Sequence, residues 1–232
     1  MPKRLYTIGV GPGSIKYITD IAREAIYKSR YIIGYQYTIS AVESLIDKNK
    51  QEIYVISLKN QEEQYQYIYD RMKDEEYCAV LFTGDVNFSE SEVVDRLLEI
   101  FGEKNVEIIP GISSIQIAAA KSKVPLDKAH IVTFHVTTDI EQKKKELVRS
   151  IILRKDIILL PRPWPSDSEK NFMQSEIAIF LKENRIDTSN LNVWVFEHLT
   201  NDSKETVFRG KVSDLEGLKF SDLSVVVINH IR

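Results

Sequence analysis

Cysteine is almost absent from this 232-residue sequence. The one example, Cys78, lies in the apolar run YCAVLF, where a buried strand residue is expected and no disulfide can form within the chain. That usage agrees with a reducing cytoplasm. Histidine is also thin: His130, His135, His198 and His230 are scattered over strand-like segments. Neither a metal-ligand spacing nor a Ser–His–Asp pattern stands out, so no metal is expected. Nowhere do about eighteen apolar residues run together, so no membrane span is expected. The opening MPKRLYTIGVGPG is basic, but its apolar run breaks at Gly9, too soon for a signal-peptide core. There is no charge excess of basic sign: 31 Lys and Arg face 34 Asp and Glu, for a formal charge of −3. Nucleic acid and acidic membranes are therefore not expected partners, and an anionic ligand must meet a local patch. No internal repeat or low-complexity tract interrupts the chain.

What is present is a hydrophobic content of 43%, enough for a large core. Short apolar runs alternate with amphipathic segments, the pattern of strands and crossover helices in an α/β protein. Strands are expected at Arg4–Gly9, Tyr31–Ile33, Ile53–Ile56, Cys78–Phe82 and Val106–Ile109. Between them, Thr19 can cap a helix over Asp20–Ser29, and Tyr65, Ile68, Tyr69 and Met72 fall at helical spacing. Ser89 or Ser91 opens another helix, which Gly102 ends. This half reads as a largely parallel βαβαβ arrangement. Pro125 interrupts the helix expected over Ser114–Lys121. A domain boundary is accordingly expected near Val124, giving domains 1–124 and 125–232. The second should carry strands His130–Phe134 and Asp156–Leu160, helices near Asp139–Leu153 and Met173–Asn184, and three closing strand-like runs. Those three lie too close together for crossovers, so a mixed sheet with mostly antiparallel pairing is expected there.

Glycine numbers only nine, yet Gly9, Gly11 and Gly13 fall within the single stretch GVGPGS. A dinucleotide fingerprint would need a third glycine where Ser14 stands, and Pro12 removes a donor from the loop. The nucleotide reading is weak. Two further loops follow strands, TGDVNFSES and PGISS, and in an open parallel sheet ligands bind beyond the carboxyl ends of strands. The three should line one edge of one cleft. Taken singly, each has a plainer explanation, with Asp85 as a turn residue and Ser113 as a helix cap.

In this order, the segments IGVGPGSIKYIT (8–19), TGDVNF (83–88), IIPGISSIQIAAAKSKVPLDKAHIVTFH (108–135), VFEHLTNDSKETVFRGKVSDL (195–215) and FSDLSVVVI (220–228) resemble the tetrapyrrole methylase superfamily. The likeness spans nearly the whole chain and is strongest to the branch that methylates carbon 5 of cobalt-precorrin-7 in cobalamin synthesis. It implies two α/β domains with the active site in the cleft between them, S-adenosylmethionine as methyl donor, a corrinoid substrate, and a homodimer. It also implies a separate enzyme for carbon 15 and decarboxylation. In the cofactor pocket it places Val10, Gly84, Asp85 and Phe88, then Ser113, Ser114 and Ile115 at the methionine end. Leu160 and Phe196 enclose the adenosine, while Gly11, Pro12 and Gly13 floor the macrocycle. Three positions depart from the family pattern: Val86 replaces a proline, Ser14 an acidic residue, and Val136 a glycine.

Methyl transfer from a sulfonium to an electron-rich ring carbon asks mainly for alignment, worth roughly 7–11 kcal/mol, and needs no acid–base dyad. A corrinoid precursor carries several carboxylates, for which Arg162, beside Trp164 in LLPRPWPS, is the candidate receptor. Lys3, Arg4 and Lys16 flank the glycine loop in sequence. The competing expectations are another tetrapyrrole position or a diphthine synthase-like methyltransferase. From other classes, a nicotinamide-dependent oxidoreductase and a non-catalytic binding module also remain open.

Overall fold

A computed structural model describes residues 3–88, 90–164 and 167–230. The chain divides into two compact units, Met1–Ser113 and Ser114–Arg232.

The first unit holds strands β1 (Arg4–Gly9), β2 (Tyr31–Tyr35), β3 (Glu52–Ile56), β4 (Tyr77–Phe82) and β5 (Val106–Ile109). They form one sheet in the order β3-β2-β4-β1-β5, every pair parallel. A parallel sheet needs cover on both faces, and the apolar content of the strands supplies it. Because side chains alternate, Leu5, Ile33, Cys78, Val80 and Phe82 point one way. They meet Tyr65 and Ile68 of helix α3 (Gln61–Arg71) and Val94, Leu97 and Phe101 of α4 (Ser91–Phe101). On the other face Tyr6, Ile8, Ile32, Ala79 and Leu81 meet Ala22, Ala25 and Ile26 of α1 (Asp20–Lys28) and Ile39 of α2 (Gln36–Ala41). Each aliphatic side chain so buried contributes about 1.5–3 kcal/mol.

The end signals act as the sequence suggests. Thr19 accepts the amide hydrogen of Ala22 at 3.3 Å, and Gly102 closes α4 at φ 78° with its N–H on the Leu98 carbonyl. The α4 start at Ser91 is observed, whereas Ser89 lies outside the described residues. Helix α2 has no counterpart in the sequence reading. Its residues QYTISA are short and partly β-branched, with little intrinsic helix preference, and tertiary contact holds them. Ile39 enters the core, and Thr38 shares a 2.9 Å hydroxyl bond with Thr83.

The second unit opens with α5 (Ser114–Ser122) and contains β6 (Ala129–Thr133), α6 (Glu141–Ile152), β7 (Asp156–Leu160) and α7 (Gln174–Glu183), then β8 (Leu191–Glu197), β9 (Thr206–Lys211) and β10 (Ser224–His230). The two units separate ahead of α5 rather than near Val124, since α5 packs on β7 and β10. The sheet order is β6-β7-β10-β8-β9. β6 and β7 run parallel, and the remaining pairs are antiparallel. β8 and β9 form the expected hairpin, but β10 does not pair with β9. It inserts between β7 and β8, where its run SVVVI is buried on both faces. β9, more exposed and carrying Arg209 and Lys211, makes the edge, where charge discourages further strand addition.

Among the described residues no helix is long and apolar enough to cross a membrane. Cys78 is fully buried, and burial pushes its thiol pKa up. In the native protein it should not react with an aromatic disulfide reagent, and one thiol should react on denaturation, as followed by absorbance; prompt native reaction would contradict this packing.

Candidate active site

β4, β1 and β5 are neighbours in the parallel sheet, so the loops after them leave from the same edge. The backbone then ties them together. Gly11 N donates to Gly84 O at 3.2 Å and Gly84 N to Gly11 O at 2.7 Å, a separate antiparallel bridge just past the ends of the parallel strands. Gly11 and Gly84 have φ values of 89° and 75°, a conformation that favours glycine. Gly9, at the end of β1, lies against Gly84 and Gly111. A Cβ there would sit 2.6 Å from Gly84 O and 2.7 Å from Gly111 N. A Cβ on Gly111 would strike the carbonyls of both Gly84 and Gly9.

Asp85 completes the tie. One carboxylate oxygen accepts from Gly111 N at 2.8 Å and the other from Asn87 N at 2.7 Å. Its two oxygens thus hold the β4 and β5 loops in register, a role that includes the turn-residue explanation. Val86, where the family pattern has proline, is 1% exposed and belongs to the core under α4. Val10 is buried in the opposite core, Pro12 is buried, and Phe88 is half-buried. Ser14 accepts from Lys16 N and opens the short turn Ile15–Tyr17, which Arg23 braces by donating to Ile15 O at 3.0 Å. Ser113 is buried at the end of the β5 loop.

The first unit therefore gathers Val10, Gly11, Pro12, Gly13, Gly84, Asp85, Phe88 and Ser113 at the carboxyl edge of its sheet. Lys3 and Arg4 fall elsewhere. They sit at the opposite end of β1, roughly 20 Å along a six-residue strand, and the Lys3 ammonium is engaged by Tyr69 O at 2.6 Å.

In the second unit Ser114 and the buried Ile115 open α5. Leu160 ends β7, one residue beyond the pairing of Leu159 with Val226, and Phe196 pairs with Val225. Leu160 and Phe196 thus flank β10 at one edge of that sheet. Phe196 is fully buried and 6.0 Å from the Trp194 ring, so packing accounts for it as well. Arg162 lies just beyond β7, in the loop that returns to Phe172. Among the described residues no three His, Cys, Asp or Glu side chains gather as a metal-ligand set.

The sequence reading passed over Glu90, next to the candidate loop at the start of α4. Burial pushes its carboxyl up to about 7; burial likewise raises the pKa values of Tyr35, Tyr37 and Tyr65, to which the Glu90 charge adds. The only sequence signal was a glutamate directly preceding the first helical residue.

Residues 4–216 match the model of the Tetrapyrrole (Corrin/Porphyrin) Methylases. The chain belongs to that family and is a methyltransferase, which sets aside the oxidoreductase and non-catalytic alternatives. It is 29% identical over 224 residues to a probable cobalt-precorrin-7 C(5)-methyltransferase of Methanocaldococcus jannaschii, covering 96% of each chain. It is 28% identical to a cobalt-precorrin-4 C(11)-methyltransferase of the same organism, covering 97% of this chain and 87% of that one. The fold matches the crystal structure of a precorrin-6Y methylase from Archaeoglobus fulgidus with a TM-score of 0.65, at 21% identity and over 98% and 97% of the two chains.

Two outcomes test the local structure. Gly111→Ala should lower unfolding free energy by about 3 kcal/mol in urea titration, because the methyl meets carbonyls on rigid backbone; a change within error would refute the close approach. For Glu90, the folded pKa is raised above the ordinary 4.5. Its contribution is fully present below that value and is lost as pH rises through about 7. Glu90→Gln should therefore gain stability over wild type at pH 8, by up to about 3 kcal/mol, and gain little at pH 4. Thermal unfolding at both pH values checks the sign.

Proposed function

We propose that this protein methylates carbon 5 of a corrin-ring precursor, cobalt-precorrin-7 or precorrin-6Y, using S-adenosylmethionine in cobalamin biosynthesis. The observation that carries the reading is the end-to-end likeness to the C(5)-methyltransferase, 96% of either chain. The C(11) relative has nearly equal identity but extends beyond the match.

The loop chemistry fits the donor. Gly9, Gly84 and Gly111 pack backbone on backbone, Gly11 and Gly84 bond their amides to one another, and the half-buried Gly13 beside them carries no side chain. Such a surface suits a flat, weakly charged group and gives a phosphate nothing to grip. The hydroxyls of Ser113 and Ser114 and the half-buried ring of Phe88 supply polar and stacking contacts at its border. The donor, when bound, brings a methyl already activated by a positive sulfur. Val10, Gly84, Asp85 and Phe88 then have a positioning task, with Ser113, Ser114 and Ile115 toward the methionine end and Leu160 and Phe196 toward the adenosine. Asp85 acts by keeping the loops in register through Gly111 N. Gly11, Pro12 and Gly13 offer the macrocycle a floor. The remaining elements of the reading are a cytoplasmic homodimer acting beside a separate enzyme for carbon 15.

Calorimetry should show micromolar binding of S-adenosylhomocysteine and none of NAD. Ser114→Ala and Asp85→Ala should weaken that binding about several-fold to tenfold, the worth of one hydrogen bond. Incubation with cobalt-precorrin-7 and the methyl donor should add the mass of one methylene, with the new methyl at carbon 5 by NMR. A methyl at carbon 11, or no binding of the homocysteine product, would overturn the assignment.

A further inference from the structure

The loop after β7 is closed at its base by two backbone bonds, Arg162 N to Phe172 O at 3.0 Å and Phe172 N to Arg162 O at 2.9 Å. Within it the Trp164 backbone N–H donates to the side-chain oxygen of Asn171, which anchors the main chain at Trp164. The Arg162 guanidinium stacks 4.6 Å from the Trp164 ring, and the Lys170 ammonium lies 5.5 Å from the same ring. Arg162 is only 6% exposed. Its Nη2 donates to the Thr137 carbonyl at 3.2 Å, while its Nε, shielded from solvent, meets no acceptor among the described residues. Among the described residues no carboxylate pairs with this guanidinium. Asp167, an acidic member of the loop, faces Lys170 at 3.7 Å.

A guanidinium keeps its charge at any physiological pH and offers five donors in a rigid fork. Burying it without a counter-charge is costly, and one carbonyl and one indole face offset only part of that cost. The missing element is an acceptor with negative charge, which a carboxylate supplies. Lys170 adds a second cation beside the indole; Asp167 faces it, which leaves the Arg162 guanidinium as the cation of this loop without a carboxylate partner among the described residues.

We propose that Arg162, held by Trp164 and supported by Lys170, is the receptor for a substrate carboxylate. The inference rests on the corrinoid reading above, under which the carboxylate is one of those on the macrocycle's side chains. Trp164 acts through Arg162, as a positioning residue.

The test titrates the full chain by absorbance with two corrinoid probes, cobyrinic acid, which carries free carboxylates, and cobinamide, in which they are amidated. Wild type should prefer cobyrinic acid by about tenfold or more. Arg162→Gln should lose that preference, and Arg162→Lys should keep part of it. Lys170→Gln, at a mostly exposed position, should weaken cobyrinic acid binding severalfold, and added salt should weaken wild type more than Arg162→Gln. Equal affinity of wild type and Arg162→Gln for cobyrinic acid overturns the proposal and leaves the corrinoid reading intact. If Arg162→Gln fails to fold, unchanged binding in both Lys170→Gln and high salt overturns it. Wild type that binds S-adenosylhomocysteine but neither corrinoid defeats the corrinoid reading, and the proposal with it.

Discussion

The candidate site depends on three stretches of main chain lying against one another with no side chain between them. Gly9, Gly84 and Gly111 approach so closely that one methyl group would force them apart. Asp85 then joins the outer two loops through its bond to the Gly111 amide. The parallel sheet makes this possible, because β4, β1 and β5 stand side by side and release their chains at one edge. Everything assigned to the first unit, from Val10 to Ser113, inherits its position from that contact. Glycine's scarcity elsewhere acquires a meaning here: the residue is spent where backbone must touch backbone.

Charge is handled differently in the two units. In the first, the notable ionisable group is an acid: Glu90 sits among Tyr35, Tyr37 and Tyr65, where burial favours its neutral form. In the second it is a base that cannot become neutral, Arg162, buried against an indole. Most other charges follow the usual pattern of exposed pairs, such as Lys182 with Glu216 and Lys48 with Glu43, which contribute little individually. The exceptions are informative because the fold tolerates them.

Much of the fold was legible in the sequence. The strands from Arg4–Gly9 to Val106–Ile109 declared themselves by apolar runs between turns, and Thr19 and Gly102 marked helix ends by ordinary capping chemistry. Helix α2 was hidden because its stability comes from Ile39 and Thr38 contacts rather than from its own residues. The place of β10 was hidden too, since sequence proximity favoured β9 and only burial on both faces puts SVVVI in the middle. Within the site, the meeting of three loops could be inferred from strand ends. That Asp85 turns its oxygens to backbone amides could not, because spacing carries no information on side-chain direction. Likewise, Lys3 and Arg4 neighbour the glycine loop in sequence while a whole strand separates them from it.

The central position of β10 has a consequence for how the second unit comes into being during synthesis. β6 to β9 emerge first, yet β7 and β8 share no border until the residues from Ser224 onward are available between them. Pairing across such sequence distances is slow compared with local hairpins. Nascent chains will therefore display an open gap at the heart of this sheet, with two unsatisfied strand edges, until its keystone arrives.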